Sequence, residues 1–200
     1  MLVMTVAALV LAGGRARRLG GADKALLDIG GHTVLGHVLA RLATQTENVA
    51  ISANGDPARF VAFGCPVLTD GVFTGQGPLA GLLAGLDWAA VQGVDALLSV
   101  PCDTPFIPLD LAAVLAPAPA CAASLGRAHY LVALWPVAAR GGLRRILEQP
   151  GARDVKEFSA SLGARAVAFP SGPWDPFLNI NTPDDLALAR RIAADTEGSR

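Results

Sequence analysis

The sequence predicts an α/β fold: a mostly parallel sheet with helices packed on both of its faces. Short apolar runs that end in glycine, proline or asparagine alternate with longer stretches of helical period, the pattern of repeated β-α-β units. The runs are continuously apolar rather than alternating, as in TVAALVL (5–11), which is what strands covered on both faces require. The chain has 200 residues, 52% apolar and 16% charged, enough for one sizeable core and too apolar for disorder. A single domain over residues 1–200 is the expectation.

The elements follow in order. The first strand, 5–11, ends at Gly13-Gly14, and a short extended piece over 25–29 ends at Gly30-Gly31. TVLGHVLARL (33–42) has helical spacing, with Val34, Leu35, Val38, Leu39 and Leu42 on one face. A strand over 49–53 closes at Asn54-Gly55-Asp56-Pro57, and a short helix leads to a strand over 66–68 that closes at Thr69-Asp70-Gly71. Gly77-Pro78 opens a helix to about residue 90, with proline tolerated in its first turn. DALLSV (95–100) is a strand stopped by the prolines of PCDTP (101–105), and 109–115 is a helix. After the rigid spacer APAPA (116–120) come strands over 121–124 and 130–135, helices over 137–148 and 153–162, and a strand over 164–169. In NINTPDDL (179–186), Thr182 is an N-cap, Pro183 lies in the first turn, and Asp184 and Asp185 suit the positive end of a helix dipole.

The net charge of −1 argues against a general nucleic-acid or membrane binder, so any anion must be held by a local cluster. The three cysteines, Cys65, Cys102 and Cys121, are odd in number and widely spaced. They read as free thiols of a reduced, cytoplasmic chain, and a zinc site is not expected. The apolar N-terminus has no Lys or Arg before its apolar run, so it reads as a buried strand rather than a signal peptide. No stretch reads as a membrane helix.

In a parallel sheet, ligands sit outside the carboxyl ends of the strands, and there the chemistry gathers. LAGGRARRLGGADK (11–24) places four glycines and four cations in fourteen residues, for a local charge of +3 once Asp23 is counted. Bare backbone lets N–H groups approach an anion as a nest, and Arg15, Arg17, Arg18 and Lys24 add neutralising charge. Neither GxxxxGK[ST] nor GxGxxG is present in this loop, and a glycine-rich turn with a solvated basic face is the competing reading. Asp103, just past a buried strand, is placed to hold Mg²⁺ or simply to cap the following turn. Asp70 also ends a strand and reads equally well as a turn residue. Asn179 and Asn181 point the same way on an extended segment, either toward a ligand or, for Asn181, toward the start of the last helix. His129 reads as structural, His32 and His37 have no evident partners, and Trp88, Trp135 and Trp174 serve packing. No Ser/His/Asp or Cys/His arrangement stands out, and Cys102 has no nearby cation in sequence to activate it.

Together, LAGGRARRLGGADK, GPLAGLLAGL (77–86), PCDTPF (101–106) and NINTPDDL, in this order and spacing over most of 5–190, resemble the molybdenum cofactor guanylyltransferases. The resemblance implies a Rossmann-like three-layer α/β/α sandwich, the nucleotidyltransferase fold, with nucleotide bound by the N-terminal part and the pterin acceptor by the C-terminal part. It implies transfer of GMP from GTP to the phosphate of molybdopterin, release of pyrophosphate and use of Mg²⁺. Leu11, Ala12 and Gly13 would line GTP, Lys24 would contact its phosphates, Asp70 would lie at the guanosine, and Asp103 would hold nucleotide and metal. The family often has Asn-Ala-Asn where this chain has Ser52-Ala53-Asn54; serine can hydrogen-bond but lacks the amide's paired donor and acceptor. It also tends to carry His-Pro where this chain has His129-Tyr130.

On this reading Gly13, Gly14 and the cluster Arg15, Arg18 and Lys24 take the triphosphate, Ser52 and Asp70 the nucleoside, and Asn179 and Asn181 the acceptor. The catalytic residues are Lys24, Arg18 and Asp103. No general base is needed, because a phosphate nucleophile is already ionised near neutral pH. The expected partners are GTP, molybdopterin and molybdoenzyme maturation proteins, with no nucleic acid and no membrane. The alternatives are a related transferase using CTP or a sugar phosphate, and a non-catalytic cofactor carrier.

Overall fold

The computed structural model describes residues 4–13, 23–151 and 154–197. In chain order the elements are β1 (Val6–Leu11), β2 (Asp28–Ile29), β3 (His32–Thr33), α1 (Val34–Ala43), β4 (Val49–Ser52), β5 (Val67–Leu68), α2 (Pro78–Val91), β6 (Ala96–Pro101), α3 (Leu111–Leu115), β7 (Ala120–Ser124), β8 (Arg127–Pro136), α4 (Arg140–Glu148), α5 (Val155–Ser161), β9 (Arg165–Ala168) and α6 (Pro183–Glu197). Seven strands form one sheet in the order β5-β4-β1-β6-β8-β7-β9, while β2 and β3 pair as a separate ribbon. Six of the seven run parallel; β8 alone is reversed, antiparallel to both β6 and β7.

The α/β architecture with helices on both faces is therefore as the sequence predicts. Successive residues of β1 show why its run is apolar throughout. Ala8 and Val10 pack with α1 and α3 through Leu35, Val38, Leu42, Leu111 and Leu115. Ala7 and Leu9 pack on the other face with α2, α4 and α5 through Leu82, Leu86, Leu143 and Phe158. Period 2 on a strand covered on both sides leaves no position for a polar residue. A third cluster, Ile29, Val34, Phe106, Ile180, Ala189 and Ile192, seats α6 against the ribbon and the carboxyl edge of the sheet. Thr33 caps α1, accepting from Gly36 N–H at 3.0 Å. Thr182 opens α6 as expected, its hydroxyl taking Asp185 N–H at 3.2 Å, while Asp185 reaches back to the N–H groups of Asn181 and Thr182 at 2.9 and 2.8 Å.

Two local expectations change. The piece over 25–29 is not one extended segment: Lys24–Leu26 is a 3-10 turn, capped by Asp23, and only Asp28–Ile29 is strand. The cap explains it, since the Asp23 carboxylate accepts Ala25 N–H at 3.1 Å and draws the backbone into a turn. The strand expected over 130–135 runs from Arg127 to Pro136, because the turn Leu125-Gly126, both at positive φ, folds β8 back on β7 as a hairpin. His37 also has a partner that its sequence neighbours do not reveal: its Nε2 lies 2.8 Å from the Ile29 carbonyl.

Candidate active site

β1, β4, β5 and β6 all end at one edge, and the chain reverses its crossover direction between β1 and β6. Such a switch point opens a crevice beyond the strand ends. A cleft of about 680 Å³ lies there, lined by residues from every one of those ends, among them Gly13, Lys24, Ser52, Asp70, Asp103 and Asn181.

At its centre the Lys24 ammonium stands 3.3 Å from Asp103 Oδ2 and 2.5 Å from Asn181 Oδ1. The other carboxylate oxygen of Asp103 accepts the Asn179 amide at 2.9 Å, and that amide also reaches Thr104 Oγ1 at 3.1 Å. Donor chemistry fixes the amide orientations. Lysine only donates and a carboxylate only accepts, so Asn181 shows its oxygen to Lys24, while Asn179 spends its NH₂ on Asp103. The segment 170–182 that carries both asparagines has no regular secondary structure. It is held by Phe177 and Ile180, both fully buried and each contributing about 1.5–3 kcal/mol, and by Ile180 N–H on the Asp103 carbonyl at 2.9 Å.

The other side of the cleft is tied as tightly. Asn54 and Asp70 bond reciprocally, Asn54 Nδ2 donating to Asp70 Oδ2 at 2.6 Å and Asp70 N–H to Asn54 Oδ1 at 3.1 Å. Arg59 links this pair to the Lys24 turn: its guanidinium donates to Asp23 Oδ2 at 2.7 Å and to the Asn54 carbonyl at 3.1 Å, and lies over the Phe60 ring. Gly81 brings α2 against the cleft floor. A Cβ there would stand 2.4 Å from Ser52 Oγ and 3.2 Å from Leu11 Cδ2.

The structure thus brings together Leu11, Gly13, Lys24, Ser52, Asp70, Asp103, Asn179 and Asn181 around one space. Ala12 is buried beside it and extends the ladder to β4 through its N–H on the Ser52 carbonyl at 2.8 Å. Gly14, Arg15, Arg17 and Arg18 fall in 14–22, outside the described residues. Sequence reasoning missed Asn54, Arg59 and Gly81 as parts of the site; their partners lie far along the chain, although GPLAGLLAGL itself was legible. Cys102 lines the cleft, but burial, then the neighbouring Asp103, push its thiol up to about 12, so it stays protonated and is no nucleophile.

A Ser/His/Asp cluster, not apparent in the sequence, is present. Ser124 Oγ lies 2.7 Å from His129 Nε2 and 2.7 Å from Asp175 Oδ1. The carboxylate engages the serine rather than the imidazole, and Ser124 is 4% exposed, so the cluster is not a nucleophilic triad.

The MobA-like NTP transferase domain family model matches residues 8–164. A molybdenum cofactor guanylyltransferase of Acidiphilium cryptum is 59% identical over 182 residues, covering 91% of this chain and 92% of its own length. One of Rhodopseudomonas palustris is 49% identical over 195 residues, covering 93% of each. Among solved structures, molybdopterin-guanine dinucleotide biosynthesis protein A of Archaeoglobus fulgidus superposes with a TM-score of 0.71 at 22% identity, covering 94% of this chain and 98% of that one. A Mycobacterium tuberculosis protein solved in complex with manganese gives 0.66 at 18% identity, covering 94% and 99%. These two share the fold. With a nucleotide-sized cleft at the switch point and sequence identity running nearly end to end, the chain belongs to the molybdenum cofactor guanylyltransferases, within the MobA-like NTP transferases.

Proposed function

We propose that this chain transfers GMP from GTP to the terminal phosphate of molybdopterin or its molybdenum-loaded form, releasing pyrophosphate. The observation that carries the reading is the meeting of Lys24, Asp103, Asn179 and Asn181 within hydrogen-bond reach of one another at the cleft. Both reactants are polyanions, so bringing them together needs fixed positive charge and oriented donors in a crevice sheltered from water. A phosphate oxygen of the acceptor attacks the α-phosphorus of GTP. The new P–O bond forms as the bond to the β-phosphate oxygen breaks, and pyrophosphate leaves with the electron pair. Lys24 turns from Asp103 to the phosphates and neutralises the charge developing on the leaving group. The Asn181 NH₂ donates to a non-bridging oxygen. Asp70, an acceptor, suits the N–H donors of guanosine, with Asn54 fixing its orientation and the Ser52 hydroxyl beside it. Arg15 and Arg18 extend the cationic lining over the triphosphate, and Gly13 and Gly14 offer backbone N–H groups to it.

The donor set fits a hard divalent cation. Asp103 is a single carboxylate with one oxygen on Asn179 and one facing Lys24, which leaves acceptor positions free. Among the described residues no group of three His, Cys, Asp or Glu could hold a metal by itself. One carboxylate supplemented by substrate phosphates and waters is the preference of Mg²⁺, and Mg²⁺ is the ion we assign to Asp103. When bound, it neutralises phosphate charge and polarises the α-phosphoryl group.

No helix among the described residues is long and apolar enough to cross a membrane. A cytoplasmic location and handover of the product to molybdoenzyme maturation proteins complete the proposal.

The experiment is pyrophosphate release by the purified chain with Mg²⁺ and molybdopterin, screened over the four nucleoside triphosphates. Release with GTP alone, together with a guanine dinucleotide product, is expected. Equal or greater release with CTP, or GTP binding without turnover, overturns the reading.

A further inference from the structure

We infer that Ser124, His129 and Asp175 form a hydrogen-bonded chain that holds the segment 170–182 against the sheet so that Asn179 reaches Asp103, with His129 as its positioning residue. The activity readout of this inference rests on the function proposed above; the chain itself does not.

Proton accounting sets the direction of every bond. The Asp175 carboxylate can only accept, and its Oδ1 takes Phe177 N–H at 2.9 Å and the Ser124 hydroxyl at 2.7 Å. A serine hydroxyl has one proton, and here it is spent on Asp175. The 2.7 Å contact between Ser124 Oγ and His129 Nε2 therefore has the imidazole as donor. That puts a proton on Nε2, and for the neutral ring it selects the Nε2–H tautomer. Burial, then the charge of Arg127, hold the His129 pKa below its ordinary value against the pull of Asp175, in keeping with a neutral ring.

The chain crosses from the sheet to the irregular segment. Ser124 ends β7, and His129 pairs with Ala122 across the β7–β8 hairpin. Beyond that pair the register shifts, so that Cys121 faces Ala133 and residues 130–132 of β8 form a bulge with no partner on β7. Bulges beside active sites re-aim side chains, and this one puts Leu131 in the cleft wall. Asp175 begins the turn that carries the site: Leu178 N–H bonds its carbonyl at 3.1 Å. Phe177 is wholly buried between the rings of His129 and Phe169, at centroid distances of 4.9 and 5.2 Å. The next anchor is Ile180 N–H on the Asp103 carbonyl. Asn179 lies between the two anchors, and its reach to Asp103 depends on both. A segment without a ladder can slide by an ångström if one anchor fails, and displacement on that scale costs reactions of this kind up to ~10²-fold.

The test compares His129→Leu with His129→Gln in the full chain. Glutamine keeps an N–H that can donate to Ser124; leucine keeps bulk only. Expected for His129→Leu is a fall of about 10-fold in kcat and a raised KM for the acceptor, with metal-free GTP affinity within about two-fold of wild type. His129→Gln recovers most of the loss. Equal impairment in both variants, or wild-type kcat and acceptor KM in His129→Leu, overturns the inference. Nitrogen-15 spectroscopy tests it without turnover. A protonated Nε2 on His129, and an Asn179 side-chain amide signal that shifts in His129→Leu and returns in His129→Gln, support it even if GTP proves to be the wrong nucleotide. An unprotonated Nε2 or an unmoved Asn179 signal overturns it even if guanylyl transfer is found.

Discussion

The ammonium of Lys24 stands 3.3 Å from the carboxylate of Asp103, although 79 residues separate them. In the proposed reaction each is half of the pair that two negatively charged reactants require, one to meet phosphate and one to hold a cation. Without substrate they satisfy each other, at side-chain exposures of 14% and 19%.

Replacing either partner removes a positioned electrostatic group. Lys24→Ala and Asp103→Ala are each expected to reduce turnover by ~10²-fold or more, measured as GTP-dependent pyrophosphate release. A purified Asp103→Ala protein running at a near-normal rate would falsify the assignment of that carboxylate.

In the proposed reaction the Lys24 ammonium, 3.3 Å from Asp103 Oδ2, and a metal ion would compete for the charge of one carboxylate until a nucleotide draws the lysine away. Lys24→Gln should therefore bind Mn²⁺ more tightly than wild type in the absence of GTP. About 5-fold is expected, equivalent to ~1 kcal/mol, the upper range for a partly exposed pair. With GTP present the order reverses, because the lysine then helps to hold the phosphates. Manganese titration followed by electron paramagnetic resonance reads both arms; unchanged affinity in the first is the contrary result.

Two glycines of α2 separate site from scaffold. A methyl at Gly81 meets Ser52 Oγ at 2.4 Å on the cleft floor, whereas one at Gly85 meets Leu9 Cδ2 at 2.5 Å in the core. Both alanine variants should lose about 1–3 kcal/mol by overpacking in chemical denaturation. Only Gly81→Ala should also weaken GTP binding, by about 10-fold, since only there does the crowded residue, Ser52, line the cleft.

Arg59 joins Asp23, which caps the Lys24 turn, to Asn54, which orients Asp70. Arg59→Ala should raise the KM for GTP several-fold and leave kcat at saturating GTP within about two-fold, because uniform binding is lost rather than transition-state contact. Steady-state kinetics decide; a fall in kcat at unchanged KM contradicts the positioning role.

His129 gives a stability prediction whose sign follows from its depressed pKa, caused first by burial and then by Arg127 and opposed by Asp175. Below its ordinary pKa of about 6.5, the unfolded chain binds a proton that the folded chain resists. Stability contributed by the neutral ring is therefore complete above that pH and is lost as the pH falls toward the folded value. Thermal unfolding of wild type should show a drop between pH 7 and 5 that is smaller in His129→Gln. Parallel profiles in the two proteins count against it.

Local chemistry made much of this protein readable from its sequence. Continuous apolar runs and helical periods are properties of short windows, so strands, most helices and the capped start of α6 were legible. The rule that ligands sit at the carboxyl ends of parallel strands pointed to the loops holding Lys24, Ser52, Asp70 and Asp103. The joining of those loops was settled by the tertiary structure. Asn179 meets Asp103 across 76 residues and Asn181 meets Lys24 across 157, and such meetings follow from strand order and crossovers, which leave no local periodicity. The same holds for the reversal of β8, for Arg59 bridging two loops, and for Ser124, His129 and Asp175, unremarkable apart and joined through hydrogen bonds only when the sheet brings them to one edge. Burial against neighbours on either face selects an element's type, whereas pairing between distant polar groups depends on where the completed core leaves their backbones.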